Sequence, residues 1–151
     1  MAKTLQVNES IVIDRPLPEV FAYLTDPAKV AEWGSNIVDY QVVSGSPDEV
    51  GSVMSVTAKV AGAKIEATEK VIAYEKDKRM GFESGESKIA YTREIDFSGD
   101  GDGSTKVTYL QDAEEGTGLF KFADAIALKL YAHDVRGNLQ KAKTILEAQN
   151  G

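Results

Sequence analysis

Two charged residues occur in phase with apolar ones in the strand-like middle of the chain. Glu69 has the same parity as Ala67 and Val71, and further along Arg93 has the same parity as Tyr91. Alternate residues of a strand point to the same face of a sheet, so this spacing predicts both charges on a covered face. A buried unpaired charge costs several kcal/mol, roughly, so each needs a partner. A Glu69–Arg93 ion pair would satisfy both, and so would a carboxylate-bearing ligand on Arg93.

A third interpretation places the two charges at the surface. A β-bulge shifts the phase of a strand by one residue and moves every following side chain to the opposite face. Glu69 and Arg93 would then form an ordinary cross-strand pair in solvent. The sequence leaves the buried pair, the ligand contact and the surface pair open. If the charges face a cavity, they and a tyrosine could orient a substrate and move a proton.

Other candidates for chemistry are few. Tyr91, Tyr109 and Tyr131 could donate hydrogen bonds to a bound carbonyl or phenol, but aromatic side chains on a core face more often only pack. His133 is the single histidine and the chain has no cysteine, so neither a nucleophilic triad nor a histidine–thiolate metal site can form. We therefore assign no catalytic residue and expect neither a metal nor a cofactor.

Composition limits the classes of partner. The 151 residues are 42% hydrophobic and 27% charged, which is typical of one globular domain, and we expect a single domain over residues 1–151. The net charge of −7 repels phosphate backbones, so no nucleic-acid partner is expected. No apolar run is long enough for stable membrane insertion, and the N-terminus lacks the layout of a secretory signal. We expect a cytoplasmic protein.

Periodicity predicts an α+β order of one strand, two short helices, six strands and a long helix. The predicted strands cover residues 5–13, 37–43, 53–60, 64–74, 79–84, 88–97 and 105–112, and the long helix covers 119–147. The short helices begin after Pro16 and at Pro27, where Asp26 is a suitable N-cap, and Gly34 ends the second one. The long helix carries one apolar stripe, which must be buried on the sheet.

Three features of this sequence resemble one superfamily. They are the segment Ile11–Pro27, with an aliphatic strand, prolines, Val-Phe and Asp-Pro; Trp33 after the second helix; and Gly51 before a strand. Together with the element order, they are similar to the START-like (SRPBCC) superfamily, which includes polyketide cyclase/dehydrase-type proteins. The resemblance implies a helix-grip fold: a curved antiparallel sheet of about seven strands around a long C-terminal helix, with an apolar cavity between them.

The resemblance is nearly silent on activity, because proteins of this superfamily include carriers, quinone-binding chaperones, enzymes and accessory factors. Our leading hypothesis is a non-enzymatic carrier that sequesters a small hydrophobic ligand, such as a lipid, a quinone or a polyketide-like aromatic. The alternatives are a cyclase, dehydratase or hydrolase acting on such a ligand, and an accessory factor docked on a larger enzyme complex. A homodimer is also left open.

The residues expected to line the cavity share a strand or helix face with the apolar core. These candidates are Met54, Val56, Ala67, Glu69, Tyr91, Arg93, Tyr109, Phe122, Ile126 and Leu130. Phe21 and Trp33 are expected to be structural and to close one end of the core.

Overall fold

The computed structural model describes residues 4–60, 63–85, 90–99, 101, 103–114 and 124–149. Its elements follow the predicted order. They are β1 (Thr4–Ile13), α1 (Leu17–Thr25), a 3-10 helix (Pro27–Lys29), α2 (Val30–Trp33), β2 (Ile37–Ser44), β3 (Val53–Val60), β4 (Ala63–Glu75), β5 (Arg79–Ser84), β6 (Tyr91–Gly99), β7 (Thr105–Glu114) and α3 (Asp124–Ala148). The beginning predicted for the long helix, at residue 119, and the one predicted for the sixth strand, at residue 88, lie outside the described residues.

The strands form one curved antiparallel sheet in the order β1-β7-β6-β5-β4-β3-β2. Each of the six neighbouring pairs is antiparallel. Register shifts interrupt β2 at both of its ends and β4 between Val71 and Ala73. Such bulges bend a strand and increase its twist. The sheet and its C-terminal helix confirm the helix-grip fold.

Capping interactions define the ends of the two short helices between α1 and β2. The side chain of Asp26 accepts a hydrogen bond of 3.0 Å from the backbone N–H of Ala28, which caps the 3-10 helix at its predicted start. The single turn of α2 then ends at Gly34, whose backbone N–H donates to the carbonyl of Val30 at 2.7 Å. The predicted second helix is therefore two short helices in succession.

Helix α3 packs along the sheet through its apolar stripe. Val135, Leu139, Ala142 and Leu146 are all buried, at the three- and four-residue spacing that the sequence shows. They share a core with residues of β1, β6, β7 and α1. Among the helices of the described ranges, none is both long and apolar enough to cross a membrane.

Asn138 joins α3 to the loop that follows α2. Its side-chain oxygen accepts a hydrogen bond of 2.9 Å from the backbone N–H of Ser35, and its nitrogen donates to the side-chain oxygen of Asn36 at 2.8 Å. Asn138 is buried, so these bonds satisfy polar groups that water cannot reach freely. The contact sets the position of α2, and with it Trp33, relative to the long helix.

Candidate functional site

A buried ion pair lies on the inner side of the sheet. Arg93 donates from Nε to Oε2 of Glu69 and from Nη2 to Oε1, and both distances are 2.7 Å. Two tyrosine hydroxyls complete the coordination of the carboxylate, Tyr91 at 2.7 Å from Oε2 and Tyr40 at 2.9 Å from Oε1. Each carboxylate oxygen therefore accepts two hydrogen bonds. A bidentate, charge-assisted contact of this kind is the strong form of an arginine–carboxylate ion pair.

Arg93 is held by further contacts on its other sides. Its guanidinium carbon lies 4.0 Å from the centre of the Phe82 ring, and Nη2 also donates to the Tyr40 hydroxyl at 3.0 Å. A guanidinium over an aromatic face gains a cation–π attraction. Nε and Nη2 are thus committed, whereas Nη1 makes no hydrogen bond to the residues that the structure describes.

The charges of this cluster fix its protonation. Burial alone would raise the pKa of Glu69, but the charge and hydrogen bonds of Arg93, together with the two tyrosine hydroxyls, hold it below its usual value. Burial lowers and the Glu69 carboxylate raises the pKa of Arg93, which ends well above its usual value. Burial, together with the neighbouring carboxylate, raises the pKa of Tyr40 and of Tyr91. At neutral pH the carboxylate is ionised and both phenols are protonated.

Strand register explains why these side chains meet. Glu69 on β4 lies opposite Ser84 of β5, and Arg93 on β6 lies opposite Phe82 of the same strand. Glu69 retains only 2% of its exposure, because the bulge in β4 comes after it and leaves its phase intact. The surface interpretation is therefore wrong. The carboxylate that Arg93 binds is that of Glu69, so the charge of Arg93 is already balanced without a ligand.

A pocket opens between the sheet and the α1–α2 region, beside Arg93. Its walls are mostly apolar, and among the described lining residues only Thr25, Tyr40 and Arg93 bring side-chain oxygen or guanidinium groups to it besides the indole of Trp33. The lining residues are Leu24, Thr25, Pro27, Val30, Trp33, Tyr40, Met54, Met80, Phe82, Arg93 and Ile95. It holds about 360 Å³ of space free of atoms, with solvent at its mouth included. Little of this space is enclosed, so a bound organic molecule would need side-chain movement to fit.

Four of the predicted cavity residues belong to this region. Met54 is fully buried and lines the pocket, as does Arg93. Glu69 contacts Arg93 directly, and Tyr91 donates a hydrogen bond to the same carboxylate. The two periodic strands predicted from sequence therefore bring these polar side chains together.

The structure places three other candidates elsewhere. Val56 and Ala67 are buried and face each other across β3 and β4, but they do not line this pocket. Tyr109 is buried in the core beneath α3, and its hydroxyl donates to the side-chain oxygen of Gln111 at 2.8 Å. Phe122 lies outside the described residues. The backbones of Ile126 and Leu130 belong to α3, but their side chains lie outside the described part of the structure.

The cavity candidates chosen from the sequence omitted most of the residues that line this pocket, Tyr40 among them, and gave Trp33 a structural role alone. Tyr40 has the same parity in β2 as Val38 and Val42, but both valines are exposed, so strand alternation gives no signal that Tyr40 lines the pocket. Trp33 is buried as predicted, but it lines the pocket as well as closing the core. Phe21, by contrast, packs edge-on against Phe97 with 5.0 Å between ring centres, as a structural residue does.

In the described part of the structure, His133 and the carboxylates form no metal site. His133 is exposed on α3. Among the described residues, no cluster of three histidine, aspartate or glutamate side chains could hold a metal ion.

Comparison with known proteins gives a consistent picture of the fold. A protein-family model described as polyketide cyclase/dehydrase and lipid transport matches residues 4–147. The chain is similar to a structure of TTHA0849 from Thermus thermophilus, with 19% identity, coverage of 97% of this chain and 100% of that one, and a TM-score of 0.81. No curated protein sequence matches it.

Two further solved structures of named enzymes have the same fold. The Zhui aromatase/cyclase from Streptomyces sp. R1128 is 13% identical, with coverage of 96% of this chain and 94% of that one, and a TM-score of 0.82. Norcoclaurine synthase from Thalictrum flavum, solved with dopamine and hydroxybenzaldehyde, is 10% identical, with coverage of 99% and 90% and a TM-score of 0.69. At these identities the likeness is one of fold.

Proposed function

Because the chain belongs to the polyketide cyclase/dehydrase and lipid transport family, we propose that it binds a small apolar molecule in the pocket beside Arg93 and sequesters it from water. The driving force is the removal of apolar surface from water, about 25 cal/mol per Å². Leu24, Met54, Met80 and Ile95 provide apolar wall for that contact. A pocket that is mostly apolar, with a few placed polar groups, is the usual form of a small-molecule site.

The observation that carries this proposal is that Arg93, Tyr40 and Tyr91 occupy both carboxylate oxygens of Glu69 with hydrogen bonds. A general acid or base works best when its pKa lies near the working pH and a proton can leave or arrive. The pKa of Glu69 is lowered, and each of its carboxylate oxygens already accepts two hydrogen bonds. The pKa values of Tyr40 and Tyr91 are raised. None of the three exchanges a proton readily near neutral pH. The cluster therefore supports binding better than acid–base catalysis.

A second candidate is a cyclase or dehydratase that acts on a carbonyl compound. Arg93 favours it, because Arg93 lines the pocket and its Nη1 has no acceptor among the described residues, so it could donate a hydrogen bond to a carbonyl oxygen. In this mechanism Arg93 would supply electrostatic stabilisation and the substrate or water would carry the proton. Conversion of a poly-ketone substrate by the wild type and its loss in Arg93→Met would establish that activity. Binding with no product formed would leave the carrier role.

Calorimetric titration with 1-ethylnaphthalene tests the binding proposal, because this probe is aromatic, apolar and uncharged. Val30 lines the pocket and is half-buried, so Val30→Phe should fill the space and weaken binding more than tenfold. Ala28 is exposed on the preceding 3-10 helix and does not line the pocket, so Ala28→Phe is the matched control. Absence of saturable binding to the wild type, or equal binding by both variants, would contradict the proposal.

A further inference from the structure

Trp33 carries a hydrogen-bond donor that the protein does not use. Its side chain is 6% exposed and lines the pocket, and its Nε1 is buried without an acceptor. Within the described ranges, no other buried side-chain nitrogen or oxygen is left without a partner. Buried polar groups are nearly always satisfied, and an unsatisfied one carries a free-energy cost. Such an exception calls for an explanation, and a ligand atom would supply one.

The remaining polar groups of the pocket wall show what kind of atom is needed. The Tyr40 hydroxyl donates to Glu69, and the Thr25 hydroxyl donates to the carbonyl of Phe21 at 2.7 Å. Their protons are already committed. Two kinds of donor on lining residues are therefore left without an acceptor among the described residues, the indole N–H of Trp33 and the Nη1 group of Arg93.

We infer that Trp33 is a specificity-determining residue, whose Nε1–H selects ligands that carry a neutral carbonyl acceptor, such as a ketone, an ester or a quinone. This inference rests on the proposed binding function and names the ligand class for that pocket. A carbonyl oxygen can accept from either donor and brings no proton of its own.

Charge decides against a carboxylate ligand. Arg93 is already neutralised by Glu69 at 2.7 Å, so the pair has no net charge to offer. A second carboxylate would add an uncompensated negative charge near Glu69, in a site poor in water. A neutral acceptor avoids that cost.

Entry of the ligand requires some side-chain movement, because Nε1 is covered in the ligand-free pocket. Met54 and Met80 line the same pocket, and methionine is unbranched and adapts its shape readily. Displacement of a methionine side chain would enlarge the pocket without a change in the backbone. The indole N–H then exchanges an empty contact for a hydrogen bond.

Nuclear magnetic resonance of the indole N–H tests the inference, because Trp33 is the single tryptophan of the chain and gives one such signal. The probes are 1-acetonaphthone, with a neutral ketone, 1-ethylnaphthalene, without an acceptor, and 1-naphthoate, with a carboxylate. We expect the ketone to move the indole proton downfield and to bind about 3- to 10-fold tighter than the ethyl compound, the gain of one net hydrogen bond. We expect 1-naphthoate to bind more weakly than the ketone.

Replacement of the tryptophan by 3-benzothienylalanine removes only the N–H group, and Trp33→Phe is the genetic counterpart. In either variant the ketone should lose its advantage over 1-ethylnaphthalene, with the two affinities compared within the same variant. Equal affinity of the wild type for the ketone and the ethyl compound would overturn the inference while leaving the proposed function intact. Failure of all three probes to bind would overturn both.

Discussion

Glu69 and Arg93 form an ion pair across an intervening strand: β4 and β6 are not neighbours, and the two side chains meet over β5. Both contacts are 2.7 Å, and the Phe82 ring of β5 lies beneath the guanidinium at 4.0 Å from its carbon. The pair therefore joins three strands at the wall of the pocket. Because the pair is buried and fully hydrogen-bonded, it fixes Arg93 in place. Among the described residues, only Nη1 of the guanidinium has no hydrogen-bond acceptor.

Removal of the carboxylate charge should destabilise the protein strongly. In Glu69→Gln the guanidinium of Arg93 stays buried without a counter-charge, which costs about 3–5 kcal/mol when one partner of a buried pair is lost. Glu66→Gln, on the same strand but at an exposed position, is the control and should change stability by less than about 0.5 kcal/mol. Urea unfolding followed by circular dichroism measures both. Equal, small losses in the two variants would show that the pair does not hold this site.

Replacement of both charged residues should be less damaging than removal of one. In the double variant Glu69→Met with Arg93→Met no buried charge remains, and such apolar replacements are often neutral. Tyr40 and Tyr91 lose their acceptor, which retains part of the cost. We therefore expect the double variant to be more stable than Glu69→Gln in the same urea titration. A double variant that is less stable would place the loss in packing.

Acid should remove the stability that Glu69 contributes. Its pKa is lowered in the folded protein, so this contribution is fully present above the unfolded value of about 4.3 and is lost as pH falls through the lower folded value. At pH values below about 4.5, the urea midpoint of the wild type should therefore decrease more steeply with falling pH than that of Glu69→Gln. The same acid dependence in both proteins would mean that other carboxylates account for it.

Alkali should act in the opposite sense through the tyrosines. Burial raises the pKa of Tyr91. Burial and a hydrogen bond to Glu32 together raise the pKa of Tyr23 to about 12. A raised value means that the contribution is fully present below the unfolded pKa of about 10 and is lost as pH rises above it. Tyr91→Phe should therefore lose less stability between pH 9 and 11, roughly, than the wild type. Phenolate absorbance at full amplitude near pH 10 in the folded protein would contradict this.

Asn138 should be needed for the position of α2. Asn138→Ala removes two hydrogen bonds and leaves the backbone N–H of Ser35 without its acceptor, which costs about 1–3 kcal/mol. Gln140→Ala changes an exposed position of the same helix and is the control. Thermal unfolding gives the loss, and the emission of Trp33 reports whether the pocket is rearranged. Similar thermal stability of the two variants would contradict the role of this contact.

Much of this architecture is readable from the sequence because periodicity and turn residues are local. The alternation in β4 predicts that Glu69 faces inward, and Asp26 and Gly34 limit the short helices as expected. The apolar stripe of the long helix predicts its packing on the sheet. These features depend on neighbours within a few residues along the chain.

The assembly of the site depends on register across strands, which local pattern does not encode. The partner of Glu69 was one of three interpretations, because only the alignment of β4, β5 and β6 decides which residue it meets. Tyr40 was missed, since bulges at both ends of β2 disturb its alternation. The unused donor of Trp33 is a property of its three-dimensional surroundings alone.

Native mass spectrometry of the protein purified from its own host tests the central claim, that the pocket beside Arg93 sequesters a small apolar molecule. We expect a stoichiometric added mass that organic extraction removes, together with its loss in Val30→Phe and its retention in Ala28→Phe. Extraction should then yield an uncharged compound with a carbonyl group. A bare polypeptide mass in the wild type, with no uptake of 1-ethylnaphthalene or 1-acetonaphthone when either is supplied, would contradict the claim.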